Sequence, residues 1–151
     1  MKKSLREQLI GAWKLHSYVE VPLDGSEPFY PMSRQPMGII MYTPDGYMSA
    51  QLMTPERKPF AANDFYGGTL EEYRAEGSSY IAYSGPFKVD EETGSLTHSM
   101  FVSLFPNWTG QTQPRVVSLE GDVLRLSTAN PILSQGKLVN SFLEWHRAKP
   151  E

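Results

Sequence analysis

The sequence predicts an all-β chain, about eight antiparallel strands closed into an up-and-down barrel, with a short N-terminal helix and one short helix near 70–76. Three observations carry that expectation. Stretch after stretch alternates apolar and polar residues with the period of a half-buried strand. Compact turn sequences, Thr43-Pro44-Asp45-Gly46 among them, join neighbouring stretches as hairpins. Trp13 near the start and Arg147 near the end then close the figure. In a closed barrel the first and last strands are neighbours, so a guanidinium can stack on the indole and seal the floor. A two-sheet sandwich accepts the same strands; the matched tryptophan and arginine favour the barrel. At 151 residues the chain reads as one domain, 1–151.

Ser4-Leu5-Arg6-Glu7 has the spacing of a capping box, in which hydroxyl and carboxylate serve free amides of a short helix that Gly11 ends. From Trp13 to Val19, alternation sets Trp13, Leu15, Ser17 and Val19 on one face and Lys14, His16 and Tyr18 on the other. Pro22 to Pro36 is dense in breakers and reads as a long loop, of the kind that serves as a lid. Around Pro44, pairing Tyr42 with Met48 puts Gly38, Ile40, Ala50 and Leu52 on their face. Thr69-Leu70-Glu71-Glu72 repeats the capping-box spacing and opens a helix that Gly77 stops.

The hairpin either side of Asp90-Glu91-Glu92-Thr93-Gly94 is the most informative. Pairing Val89 with Leu96 sets Phe87 beside His98, Gly85 beside Met100 and Tyr83 beside Val102, with Leu104 on the same face. His98 therefore points inward. The run Phe105-Pro106-Asn107-Trp108-Thr109-Gly110 is a loop whose Trp108 either caps a mouth or folds back outside. Arg115, Val117 and Leu119 lead into the turn Glu120-Gly121-Asp122-Val123, and Leu124, Leu126 and Thr128 lead out. The last strand, Leu138 to Arg147, carries Val139, Ser141, Leu143, Trp145 and Arg147 on one face.

Composition removes whole classes of function. Hydrophobic residues at 40% and charged residues at 21% are those of a folded chain. A formal charge of -3 supplies neither a basic footprint for nucleic acid nor a polybasic patch for a membrane surface. With no cysteine, disulfides, thiolate nucleophiles and Cys-type zinc sites are excluded together. His16 and His146 fall on outward positions and no zinc-type spacing occurs, so no metal is expected, and no cofactor either. Tyr83-Ser84-Gly85 lies mid-strand, not at a nucleophile elbow. Lys2 and Lys3 precede no apolar run long enough for a signal or a span, so a cytoplasmic location is expected. Nothing supports a homo-oligomer.

Several motifs, in order and spacing, go further. Gly11-x-Trp13, Asp24-Gly25, Pro36-x-Gly38-x-Ile40-x-Tyr42, Gly46-x-Met48 and Tyr83-Ser84-Gly85 are followed by His98 and Phe105-Pro106-Asn107-Trp108-x-Gly110. Arg115, Leu119-x-Gly121-Asp122-x-Leu124 and Leu143-x-Trp145-x-Arg147 complete the set. Over nearly its whole length the chain resembles the lipocalin-like domain family. The resemblance implies a small β-barrel with an internal cavity, sometimes tied to secondary metabolism, and offers no catalytic motif to carry over.

The expected ligand-binding wall is Tyr42, Met48, Tyr83, Phe87, His98, Met100, Arg115 and Trp145, since apolar lining with a few inward polar groups suits a small apolar guest. Core packing alone accounts equally for the apolar members. For His98 the plainer reading is a buried imidazole bonded to the hydroxyl of Tyr42 or Tyr83. Arg115 must meet a carboxylate, backbone carbonyls or a ligand anion, or lie at the mouth, because an unpaired buried guanidinium is very costly. Trp13 with Arg147 is architectural. The leading functional expectation is a barrel that binds a small hydrophobic or aromatic metabolite. Its alternative is an isomerase, cyclase or tautomerase in which His98 moves a catalytic proton and Arg115 or a tyrosine stabilises an enolate or carboxylate. A third is a structural or oligomerising barrel with a filled interior.

Overall fold

Hairpin connections place most strands beside their sequence neighbours. The computed structural model describes residues 2–151, so Met1 lies outside it. Its strands are β1 (Gly11–Pro22), β2 (Met37–Tyr42), β3 (Tyr47–Met53), β4 (Tyr80–Asp90), β5 (Ser95–Ser99), β6 (Val102–Ser103), β7 (Thr112–Glu120), β8 (Val123–Thr128), β9 (Ile132–Ser134) and β10 (Lys137–Arg147). Eight of them, in the order β1-β2-β3-β4-β5-β7-β8-β10, close into an antiparallel barrel through pairing of β10 with β1. The short β6 pairs with β4, and β9 with β10. The registers Tyr42↔Met48, Val89↔Leu96 and Phe87↔His98 are those the alternation predicts.

The helices are α1 (Leu5–Leu9) and α2 (Leu70–Ser78). A five-residue helix cannot persist alone, because nucleation costs more than so few bonds return. Distant residues hold α1 at both ends. The amides of Leu5 and Arg6 donate to the Glu91 carboxylate at 2.8 and 3.1 Å, and the Glu7 amide donates to the Ser4 hydroxyl at 3.1 Å. The expected capping box is therefore half formed: Glu91, not Glu7, supplies the carboxylate. At the other end Arg147 donates to the carbonyls of Gln8 (2.7 Å) and Ile10 (3.2 Å), and its guanidinium carbon lies 4.1 Å from the centre of the Trp13 ring. Trp13 Nε1 donates to the Leu9 carbonyl at 2.9 Å. Leu9 and Trp13 are wholly buried, and the floor is sealed as the paired tryptophan and arginine predict.

In α2 the capping box at Thr69 and Glu72 is complete. The helix does not stop at Gly77. It runs on to Ser78, where the hydroxyls of Ser78 and Ser79 take the carbonyls of Arg74 and Ala75 at 2.8 and 2.6 Å and end it without glycine.

Two strands depart from simple alternation. In β1 the register against β10 shifts between Leu15 and Ser17, so His16 is an extra residue. A bulge of this kind reverses the faces beyond it. Trp13 and Leu15 point inward as expected, but thereafter Tyr18 and Glu20 are the buried residues, and Ser17 and Val19 are not. The second departure is at the end of β5. A Cβ on Gly85 would lie 1.7 Å from the Ser99 carbonyl oxygen, so only glycine lets the two backbones cross there. Beyond the crossing Met100 N donates to the Gln111 carbonyl and Phe101 N to that of Ser84. Tyr83 then pairs with Ser103 in place of Val102, and Val102 and Leu104 are about half exposed where alternation points them inward.

Candidate functional site

The bulge at His16 builds the site. By turning Tyr18 and Glu20 inward, it places a carboxylate that is 2% exposed near the barrel end opposite α1. Burial of a carboxylate requires partners. Glu20 has three, all hydroxyls: Ser134 donates to Oε1 at 2.6 Å, and Tyr18 and Ser141 donate to Oε2 at 2.9 and 3.2 Å. Among the described residues no lysine, arginine or histidine makes an ion pair with it. Burial first, and then the negative charge of Glu20, push the Tyr18 phenol far above its ordinary range, which keeps it a hydrogen-bond donor.

The backbone of Glu20 also exchanges two hydrogen bonds with Phe29, at 2.9 and 3.0 Å, and so fastens the loop after β1 across the barrel end. Met32 of that loop is buried. Between it, the C-terminal turn of α2, the turn at Pro106–Trp108 and the β9 hairpin lies a cavity of about 570 Å³. Its walls are mainly apolar, with Met32, Ile81, Leu104, Phe105, Trp108 and Ile132 opposite the polar group of Tyr18, Glu20 and Ser134. The loop expected to serve as a lid contributes Pro31 and Met32 to it, and Trp108, for which the sequence leaves capping a mouth and folding back outside both open, lines it too. A second hollow, about 710 Å³, lies outside the barrel between residues 54–60 and α2. Arg57, Lys58, Glu71, Glu72 and Glu76 line it beside Pro59, Phe60 and Ala75.

The residues expected from sequence gather lower in the barrel. Tyr42, Met48, Phe87, His98, Met100 and Trp145 are each at most 4% exposed and pack together as core. Tyr42 meets Phe87 edge to face, with ring centres 4.9 Å apart. His98 Nε2 and the Tyr42 hydroxyl share a hydrogen bond of 2.8 Å, while His98 Nδ1 has no partner among the described residues. Burial, and then the Arg115 charge, hold His98 well below its usual range, so the ring is neutral. Burial and then Tyr83 push the Tyr42 phenol well above its own. Arg115 is half-buried and donates to the Gln113 side chain at 2.8 Å and to the Pro114 carbonyl at 3.2 Å. None of the eight expected residues lines the 570 Å³ cavity directly; Tyr83 reaches its wall through an edge-to-face contact with Trp108, ring centres 5.8 Å apart.

On the outer wall His16 and His146 point outward as expected, but the bulge stacks their rings at 4.3 Å. Glu144 Oε2 lies 2.8 Å from His146 Nε2 and 3.7 Å from His16 Nε2, and Arg125 bonds the other oxygen at 3.0 Å. The bond from His146, above all, holds the Glu144 carboxyl below its usual range.

Glu20 is the site residue that sequence reasoning missed. Val19 and Val21 flank it, and simple alternation sends the charge outward. One signal was present. Ser141 falls on the inward face of the last strand, and an inward hydroxyl needs a buried partner.

The family described as lipocalin-like domain matches residues 10–148 of the chain. The chain is also similar to the 4'-hydroxy-3'-methoxypropiophenone carrier protein ppsC of Aspergillus oryzae, with 40% identity over 106 residues that span 66% of this chain and 96% of that protein. Among the described residues no helix is long and apolar enough to cross a membrane.

Proposed function

The chain belongs to the lipocalin-like domain family, and from that premise we propose that it is a carrier holding one small aromatic molecule in the mouth cavity of its barrel. The observation that carries this reading is the cavity itself: about 570 Å³, roofed by a loop and walled by Met32, Ile81, Leu104 and Trp108. That volume lies within the roughly 300–1,000 Å³ of ordinary small-molecule sites. The similarity to a carrier of an aryl ketone supports the choice of an aromatic guest. Of the eight residues expected from sequence, Tyr83 touches the site through Trp108, Arg115 is half-buried beside Gln113 and Pro114, and the other six form the packed layer beneath it. Proton transfer by His98 gains no observation, since its one bonded nitrogen faces Tyr42 and it borders no part of this cavity.

Titration with 4'-hydroxy-3'-methoxypropiophenone, the compound named for the relative, tests the reading through tryptophan fluorescence. Trp108 on the cavity wall is expected to give saturable quenching with one molecule bound per chain. Ile81→Trp, which puts an indole into the cavity, should weaken binding by about 10-fold or more, because the guest and the indole compete for part of the same space. His98→Gln should change affinity less than about threefold, as a residue outside the site. Absence of saturation, or an Ile81→Trp variant that binds like wild type, would refute the carrier.

A further inference from the structure

Glu20 is built like a recognition group. Its carboxylate is almost wholly buried, borders the cavity, and is held by three hydroxyl donors, Tyr18 on its own strand and Ser134 and Ser141 on β9 and β10. Oε2 accepts two of these bonds and Oε1 only one, from Ser134. A carboxylate oxygen has two acceptor directions, so Oε1 keeps one unfilled. Among the described residues no cation pairs with it to neutralise the charge or to attract an anionic guest. The remaining walls are mainly apolar. Such a site rewards a ligand that brings one hydrogen-bond donor, and penalises one that brings a negative charge.

We propose that Glu20 selects the guest by accepting a hydrogen bond from an uncharged phenolic hydroxyl, so that the ligand class is a neutral hydroxyaryl compound and aryl carboxylates are excluded. The assignment rests on the carrier reading above and adds to it the chemistry of one end of the ligand. Hydrogen bonds to charged groups are the strong ones, so loss of this donor should cost about 10–100-fold in affinity. An aryl carboxylate would set a second negative charge close to Glu20 in a mainly apolar site, which should weaken binding by more than about 100-fold.

The test compares three probes of one shape: para-hydroxyphenyl ethyl ketone, its para-methoxy ether and its para-carboxy analogue, each titrated calorimetrically near neutral pH. Wild type should prefer the phenol over the ether by about 10-fold or more and should not bind the carboxylate measurably. In Glu20→Gln, which keeps the shape but turns half of the acceptor into a donor, the preference should shrink to within about threefold and the carboxylate should begin to bind. If that variant does not fold, Glu20→Asp, with its charge drawn back by one methylene, should likewise reduce the preference for the phenol. Equal affinity of wild type for phenol and ether, or a preference unchanged in the variant that folds, would overturn the role of Glu20 while leaving the carrier intact. Failure of both phenol and ether to bind would instead remove the carrier reading, and this assignment with it.

Discussion

Halfway down the barrel, His98 is wholly buried beside Tyr42 and Phe87, with one ring nitrogen bonded and the other without a partner among the described residues. At the mouth, Glu20 is buried almost as deeply, yet both of its oxygens are bonded and the residue borders a cavity. Both are titratable groups inside a barrel, and sequence points only to the first. The difference teaches that depth and ionisability do not mark where a barrel keeps open space. His98 sits where side chains fill the space, and its environment answers by keeping it neutral. Glu20 sits beside space, and three hydroxyls accommodate it as an acceptor. Hydrogen-bond satisfaction next to a void is the better guide.

The largest effect that sharpens this contrast lies at the packed end. Trp13→Ala should lower stability by about 3–5 kcal/mol in denaturant unfolding, as the loss of a fully buried core aromatic. The fraction still folded should bind ligand with unchanged affinity; a variant that loses affinity without losing stability would erase the division between halves.

A middle-sized effect comes from His98. Its pKa in the folded state is depressed, so below about pH 6.5 the unfolded chain takes up a proton that the folded barrel refuses. Stability is then fully present above that pH and falls as pH drops. Between about pH 7.5 and 5.5, wild type should lose roughly 1.4 kcal/mol more than His98→Gln does. Parallel pH curves for the two proteins would mean that burial of the imidazole is not what sets its state.

The smallest effect belongs to the rim. Leu133 lines the cavity but is 72% exposed. Leu133→Ser should leave the unfolding midpoint unchanged within about 0.5 kcal/mol and weaken aromatic binding several-fold. Strong destabilisation with normal binding would reverse the roles assigned to the two ends.

Much of the barrel was legible in the sequence because hairpins are local. A short turn fixes register, and a slip of one residue would turn apolar stripes outward, so the pairings of Tyr42 with Met48 and Val89 with Leu96 could be read directly. Closure was legible for a different reason: Trp13 and Arg147 are distinctive residues with an obvious mutual use. The site was not. One additional residue, His16, reverses the faces of everything after it in β1, and Ser134 and Ser141 come to Glu20 from 114 and 121 residues away. No local pattern records an encounter across that distance. The crossing of Ser99 over Gly85 escaped for the same reason, since alternation assumes that a strand stays in its sheet.

The pairing of β1 with β10, from Trp13↔Arg147 to Pro22↔Val139, sets a timetable for biosynthesis. Within this barrel β1 is made before its partner β10, and contacts so distant along the chain slow assembly. Ser141 belongs to that late arrival. On the carrier reading, the cavity is complete only once β10 has joined β1, so loading follows closure of the barrel.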